Sequence, residues 1–228
     1  MSKKSEWKEE VEITIDAICL PGTLEVPPEA DGIVLFAHGS GSSRFSPRNR
    51  FVARFLQENG SGTLLFDLLT PEEEEEDERT ASLRFDIAFL AERLFGATRW
   101  LRDFLGEPRR AFGYFGSSTG GGAALVAAAR EGSEIAAVVS RGGRPDLAGD
   151  ALARVRCPTL LIVGGADSPV LRLNREALQE LRCEKELAVV PGATHLFEEP
   201  GALEQVARLA ADWFRRHWPK SHPVRSES

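Results

Sequence analysis

The stretch Phe112–Leu125, FGYFGSSTGGGAAL, decides how the rest of the chain is read. An apolar run reaches Gly116, breaks at Gly116-Ser117-Ser118-Thr119-Gly120, and resumes as a small-residue helix. The break is G-x-S-x-G between a predicted strand and a predicted helix, the context in which that pattern builds a nucleophile elbow. A serine on so tight a turn needs small neighbours, and glycines two residues before and after it let the chain double back. The turn is expected to lift Ser118 Oγ above a sheet. It also sets the Thr119 N–H, at a helix N-terminus, beneath a developing oxyanion. Ser117 is the weaker nucleophile candidate because it is off the motif centre.

Working outward, short apolar runs alternate with amphipathic stretches. Ile33–Ala37 reads as a strand buried on both faces and ends in His38-Gly39-Ser40-Gly41-Ser42-Ser43. A helix is predicted over Pro47–Glu58, a strand over Thr63–Asp67, and a long helix carrying Leu83, Ile87, Leu90 and Leu94 at helical spacing. After the elbow, strands are predicted at Ile135–Val139, Thr159–Val163 and Leu187–Val190. Helices are predicted near Asp146–Ala153, Val170–Leu181 and Ala202–Trp218. Before Ile33, the alternation of Val11–Ile15 and a second extended piece near Ile18–Val26 predict an antiparallel hairpin. Strands alternating with helices mean a mostly parallel α/β sheet of about eight strands, with helices on both faces. About eighteen residues separate Ser140 from Thr159, too few for a cap domain.

The 228 residues, 42% of them hydrophobic, suit a single domain, with residues 1–10 and 219–228 expected as flexible tails. A net charge of −7 argues against a nucleic-acid partner. No apolar run approaches the ~20 residues of a membrane span, and the N-terminus lacks the apolar core of a secretory signal. Cys19, Cys157 and Cys183 have no metal-type spacing. They read as reduced thiols in a cytoplasmic protein, Cys157 packed near a strand start.

In an open parallel sheet, sites form beyond the carboxyl ends of the strands. Four motifs fall at such ends: His38-Gly39-Ser40-Gly41, the elbow, Asp167 and His195. Ser, Asp and His follow in that chain order. On these residues the chain resembles the α/β-hydrolase superfamily, and within it the small, capless, dienelactone-hydrolase-like branch. It departs from dienelactone hydrolases proper at position 118, where they carry cysteine and this chain carries serine. The resemblance implies an α/β-hydrolase fold and a triad of Ser118, His195 and Asp167. It further implies an oxyanion hole from the N–H groups of Thr119 and Ser40, or of Gly39 if the turn is shifted. The expected reaction is two-step acyl transfer on a small-molecule ester, thioester or lactone, with no metal or cofactor required. Asp146, Glu198 and Glu199 are substitutes for the acid, and Asp167 has a plainer reading as a helix cap. His38 is expected to shape the oxyanion turn.

Two arginines, Arg44 after the oxyanion turn and Arg141 after the sixth strand, are candidates to clamp a carboxylate or phosphate on the substrate. The plainer expectation pairs them with the protein's own acids. The run Glu72–Asp77 reads as a solvated, mobile loop at the pocket mouth, placed to act as a small lid. Two other functions fit the same residues. One is a ligand-binding or scaffolding protein on this fold with little turnover; the other is acyl transfer to an acceptor other than water.

Overall fold

The continuous apolar runs become the inner strands of one eight-stranded sheet in the computed structural model, which describes residues 7–106 and 110–219. The strands are β1 (Trp7–Ile15), β2 (Ile18–Val26), β3 (Gly32–Ala37), β4 (Ser61–Phe66), β5 (Ala111–Ser117), β6 (Ile135–Arg141), β7 (Thr159–Gly164) and β8 (Lys185–Val190). Their order is β1-β2-β4-β3-β5-β6-β7-β8. The β1/β2 and β2/β4 pairings are antiparallel and the others parallel. Every residue of β3, β4, β5 and β7 is buried, as strands covered on both faces require. β2 instead alternates, with Leu20, Leu24 and Val26 turned to the core.

Among the described residues six α-helices accompany the sheet: α1 (Pro47–Glu58), α2 (Pro71–Thr80), α3 (Ile87–Leu105), α4 (Thr119–Glu131), α5 (Ser168–Glu180) and α6 (Ala202–His217). One face of the sheet packs against α3, α4 and α5, the other against α1 and α6. Each fully buried Leu or Phe on these faces contributes about 1.5–3 kcal/mol relative to exposure. α6 buries Val206, Ala210, Trp213 and Phe214, and just beyond it Trp218 stacks on Phe214 and donates from Nε1 to Ser61 Oγ at 3.2 Å. The β6–β7 connection holds only the 3-10 turns of Pro145–Arg154, split at Gly149, and no cap domain. This is the α/β-hydrolase fold expected from the sequence.

Three expectations change. β1 starts at Trp7, inside the stretch read as a tail: Lys8 pairs with Glu25 at 3.2 Å and Thr23 Oγ1 donates to Glu10 at 2.8 Å. Of the expected tails, residues 1–6 and 220–228 lie outside the described residues. The long helix starts at Ile87, capped by Asp86, whose carboxylate accepts the Phe89 N–H at 3.0 Å; Leu83 lies ahead of it.

The acidic run is not a loop but the helix α2. Thr70 Oγ1 accepts the Glu73 N–H while the Glu73 carboxylate accepts the Thr70 N–H, a reciprocal capping box, and Pro71 opens the helix. Three glutamates in its first turn complement the positive end of the helix dipole. Arg93 pairs with Glu73, and Asp77, almost fully buried, is held by Arg84 Nε at 2.6 Å and by the Leu83 N–H at 2.7 Å. All three cysteines are free; Cys157 is buried near the start of β7, and burial pushes its thiol up to about 12. Among the described residues no helix is long and apolar enough to cross a membrane.

Candidate active site

The elbow forms because the residues two before and two after Ser118 have no side chains. A Cβ on Gly116 would lie 2.4 Å from the Gly120 carbonyl oxygen, and one on Gly120 would lie 2.1 Å from that of Ala37. With that space clear, Ser118 takes φ 51° and ψ −120° between β5 and α4. Such a backbone costs a serine about 1–3 kcal/mol and persists only where surrounding bonds enforce it. They do so here. The Ser118 N–H donates to the Arg141 carbonyl at 3.3 Å, and the Ser118 carbonyl accepts from Gly121 and Arg144, both at 3.0 Å.

His195 lies in the loop between β8 and α6. Its Nδ1 is 2.7 Å from Asp167 Oδ2, just after β7. Asp167 occupies the N-cap position of α5 but makes no capping hydrogen bond with its side chain, which rules out the plain cap reading. The substitutes are engaged elsewhere: Asp146 with Arg144, Glu198 with Arg48, and Glu199 with the N–H and hydroxyl of Thr194. The Thr194 bonds hold the Glu199 carboxyl below its ordinary value and brace the histidine loop. The same loop carries Phe197, fully buried at φ 57°. Gly142, at φ 52°, packs beneath: a Cβ there would meet the His195 carbonyl oxygen at 3.2 Å and Nδ1 at 3.5 Å. Ser118 and His195 therefore border the same end of β6, one through the Arg141 carbonyl and the other through Gly142.

The turn after β3 lies against the elbow. A Cβ on Gly39 would come 3.0 Å from Ser118 Cβ. The Ser40 N–H, expected to face a substrate oxygen, donates here to Thr119 Oγ1 at 3.0 Å. The threonine side chain is thus part of the turn, a role the sequence did not suggest. His38 fixes the turn from below, as expected. Its Nε2 accepts the Leu68 N–H at 3.1 Å and its Nδ1 donates to the Gly39 carbonyl at 3.0 Å, which defines a neutral ring protonated on Nδ1. Burial holds its pKa below the ordinary histidine value.

A small cavity of about 30 Å³, partly open to solvent, is lined by Ser40 and Thr119, by Leu68, Leu69 and Leu90, and by Glu74 and Asp77 of α2. Glu74 and Asp77 of the acidic segment line this cavity, and α2 is held by the pairings of Glu73 with Arg93 and of Asp77 with Arg84. Neither arginine serves as an open clamp. Arg44 is neutralised by Asp67, which also accepts the Arg44 N–H at 2.7 Å, and its guanidinium lies over the Phe45 ring. The Arg141 side chain is buried on the α1 side of the sheet, where Nη2 donates to Asn49 Oδ1 at 3.2 Å. Asn49 was not anticipated, and nothing in the local sequence pattern marks it.

The sequence model of the dienelactone hydrolase family matches residues 22–218. A crystal structure of a dienelactone hydrolase from Anabaena variabilis is 57% identical, with a TM-score of 0.91, over 93% of this chain and 99% of that one. A putative phosphoribosyl transferase of Mycobacterium tuberculosis is 57% identical over 209 residues, 92% of this chain and 46% of the relative. The chain thus spans about half the length of that curated relative. An esterase from Pyrococcus furiosus shares the fold at 19% identity, with a TM-score of 0.72 over 93% of this chain and 92% of that one.

Proposed function

The chain belongs to the dienelactone hydrolase family, and from that premise we propose that it is a serine hydrolase cleaving a small ester, thioester or lactone through Ser118, His195 and Asp167. The observation that carries this reading is the 2.7 Å contact between His195 Nδ1 and Asp167 Oδ2. It fixes the tautomer that leaves Nε2 free to take a proton. Ser118 on its strained turn, unhindered by Gly116 and Gly120, supports the nucleophile assignment.

Nε2 of His195 removes the Ser118 proton as Oγ attacks the carbonyl, and Asp167 stabilises the imidazolium. The oxygen turned negative is held by the Thr119 N–H and by the Ser40 N–H, which exchanges Thr119 Oγ1 for the substrate oxygen. Each such donor is worth on the order of 10²–10³ in rate. His195 then protonates the leaving alcohol or thiol, and later deprotonates the water that releases the acid. Leu68, Leu69 and Leu90 give an apolar lining beside Ser40 and Thr119. The M. tuberculosis relative carries as much chain again outside the matched part. We attribute phosphoribosyl transfer to that part and hydrolysis to the shared one.

Labelling with a fluorophosphonate probe, beside a screen of short p-nitrophenyl esters and lactones, tests the reading. Wild type is expected to be labelled and to turn over, and Ser118→Ala to do neither. A folded wild type that takes no label from pH 6 to 9 would refute it.

A further inference from the structure

The end of β6 is where the elbow and the histidine loop are joined through buried side chains. Ser117, Asn49 and Arg141 are 4%, 2% and 6% exposed. Asn49 Oδ1 accepts two hydrogen bonds, from Ser117 Oγ at 3.0 Å and from Arg141 Nη2 at 3.2 Å. The guanidinium carbon of Arg141 lies 5.9 Å from the centre of the Phe197 ring, two residues beyond His195. Along the main chain, the Arg141 carbonyl accepts the Ser118 N–H and the next residue, Gly142, packs against His195. One residue therefore reaches the nucleophile's amide, the nucleophile's neighbour and the loop of the base.

Arg141 is also expensive to keep. Among the described residues it has no carboxylate partner, and its buried Nε makes no hydrogen bond. Burial, with the like charge of Arg48 added, pulls its pKa down to about 10. Arg48 itself is paired with Glu198. A buried charge so poorly compensated destabilises a fold, and an apolar side chain of similar size is commonly better there. Stability alone does not account for an arginine at this position.

We propose that Arg141 is a positioning residue: through Asn49 on one side and Phe197 on the other, it sets the register of His195 against Ser118. The proposal rests on the serine-hydrolase reading. It differs from a substrate clamp because the guanidinium is turned into the protein. The tether works by geometry, and a shift of about 1 Å between nucleophile and base is enough to slow acyl transfer on the order of 10²-fold.

The test uses Arg141→Met, Asn49→Leu and the double variant in the full chain, with Tm, kcat, KM and the rate of fluorophosphonate labelling measured for each. Arg141→Met is expected to melt at or above wild type, since it removes a buried charge. Its kcat and labelling rate should fall on the order of 10²-fold, with KM within about twofold. Asn49→Leu should lose kcat in the same way, and the double variant should lose no more than the worse single one, since both cut one tether. A folded Arg141→Met with kcat within about threefold of wild type overturns the proposal. So does a double variant whose losses multiply. If Arg141→Met does not fold, Asn49→Leu decides alone, and an unchanged labelling rate there also overturns it. A wild type that takes no label sinks the hydrolase reading itself. A labelled wild type with an equally labelled Arg141→Met sinks only the positioning role.

Discussion

Ser40 and Thr119, 79 positions apart, are joined by a hydrogen bond from the Ser40 N–H to Thr119 Oγ1 at 3.0 Å. The hydroxyl oxygen occupies the partner position that a substrate oxygen takes in the proposed reaction, and so keeps the turn after β3 shaped for it. Thr119→Val keeps the side-chain outline and removes the acceptor. Steady-state kinetics should show kcat lowered about three- to tenfold, the worth of one ordinary hydrogen bond, with Thr119→Ser close to wild type. A faster Thr119→Val would mean that the hydroxyl obstructs the donor instead.

The Asp167–His195 contact gives the largest expected effect. Asp167→Asn preserves size and presents an amide where a carboxylate fixed the Nδ1–H tautomer. It should lower kcat by about 10⁴-fold with little change in Tm. Asp146→Asn, which breaks only the pairing with Arg144, serves as the comparison and should leave kcat near wild type. Equal losses in the two variants would remove Asp167 from its role.

Gly142 carries the histidine from below. In Gly142→Ala, φ 52° becomes strained and the new methyl meets the His195 carbonyl oxygen at 3.2 Å and Phe197 Cε2 at 3.3 Å. The backbone strain alone costs about 1–2 kcal/mol. Differential scanning calorimetry should register it as a lower Tm, with a drop in kcat beyond what the remaining folded fraction explains.

Asp77 ties α2 to the start of α3. Burial pushes its carboxyl up, but the hydrogen bonds and charge of Arg84 outweigh that and leave its pKa below the ordinary value. A depressed carboxylate stabilises the fold fully above its unfolded pKa of about 4, and loses that contribution as pH falls through the lower folded value. Asp77→Asn should therefore lower Tm at neutral pH. Its Tm should converge with that of wild type as the solution is acidified. A Tm gap that stays constant from pH 7 down to pH 2 would exclude the ionised pairing.

What could be read from the chain was local or periodic. The strands announced themselves as apolar runs, and the elbow as glycines around Ser118, because both depend on residues within a few positions of each other. Asp167 and His195 were legible from their places at strand ends. The partners of Arg44 and Arg141 were not, since Asp67 and Asn49 reach them only once the sheet has formed. The helix over Pro71–Thr80 is a different case. Its capping box, Thr70 with Glu73, stands in the sequence, but a run of charges with no apolar face reads as a solvated loop unless the cap and the helix dipole are weighed against it.

The bond between Ser61 and Trp218 links positions 157 apart. Trp218 and Phe214 close one face of the sheet, so that face stays open on the ribosome until nearly all of the described chain has been made. Contacts of such long sequence separation slow folding, because the entropy of loop closure is spent before they form. Until then the apolar side chains of β3 and β4 on that face are open to chaperones and to other nascent chains. That exposure lasts from the making of β4 until α6 and Trp218 have left the ribosome.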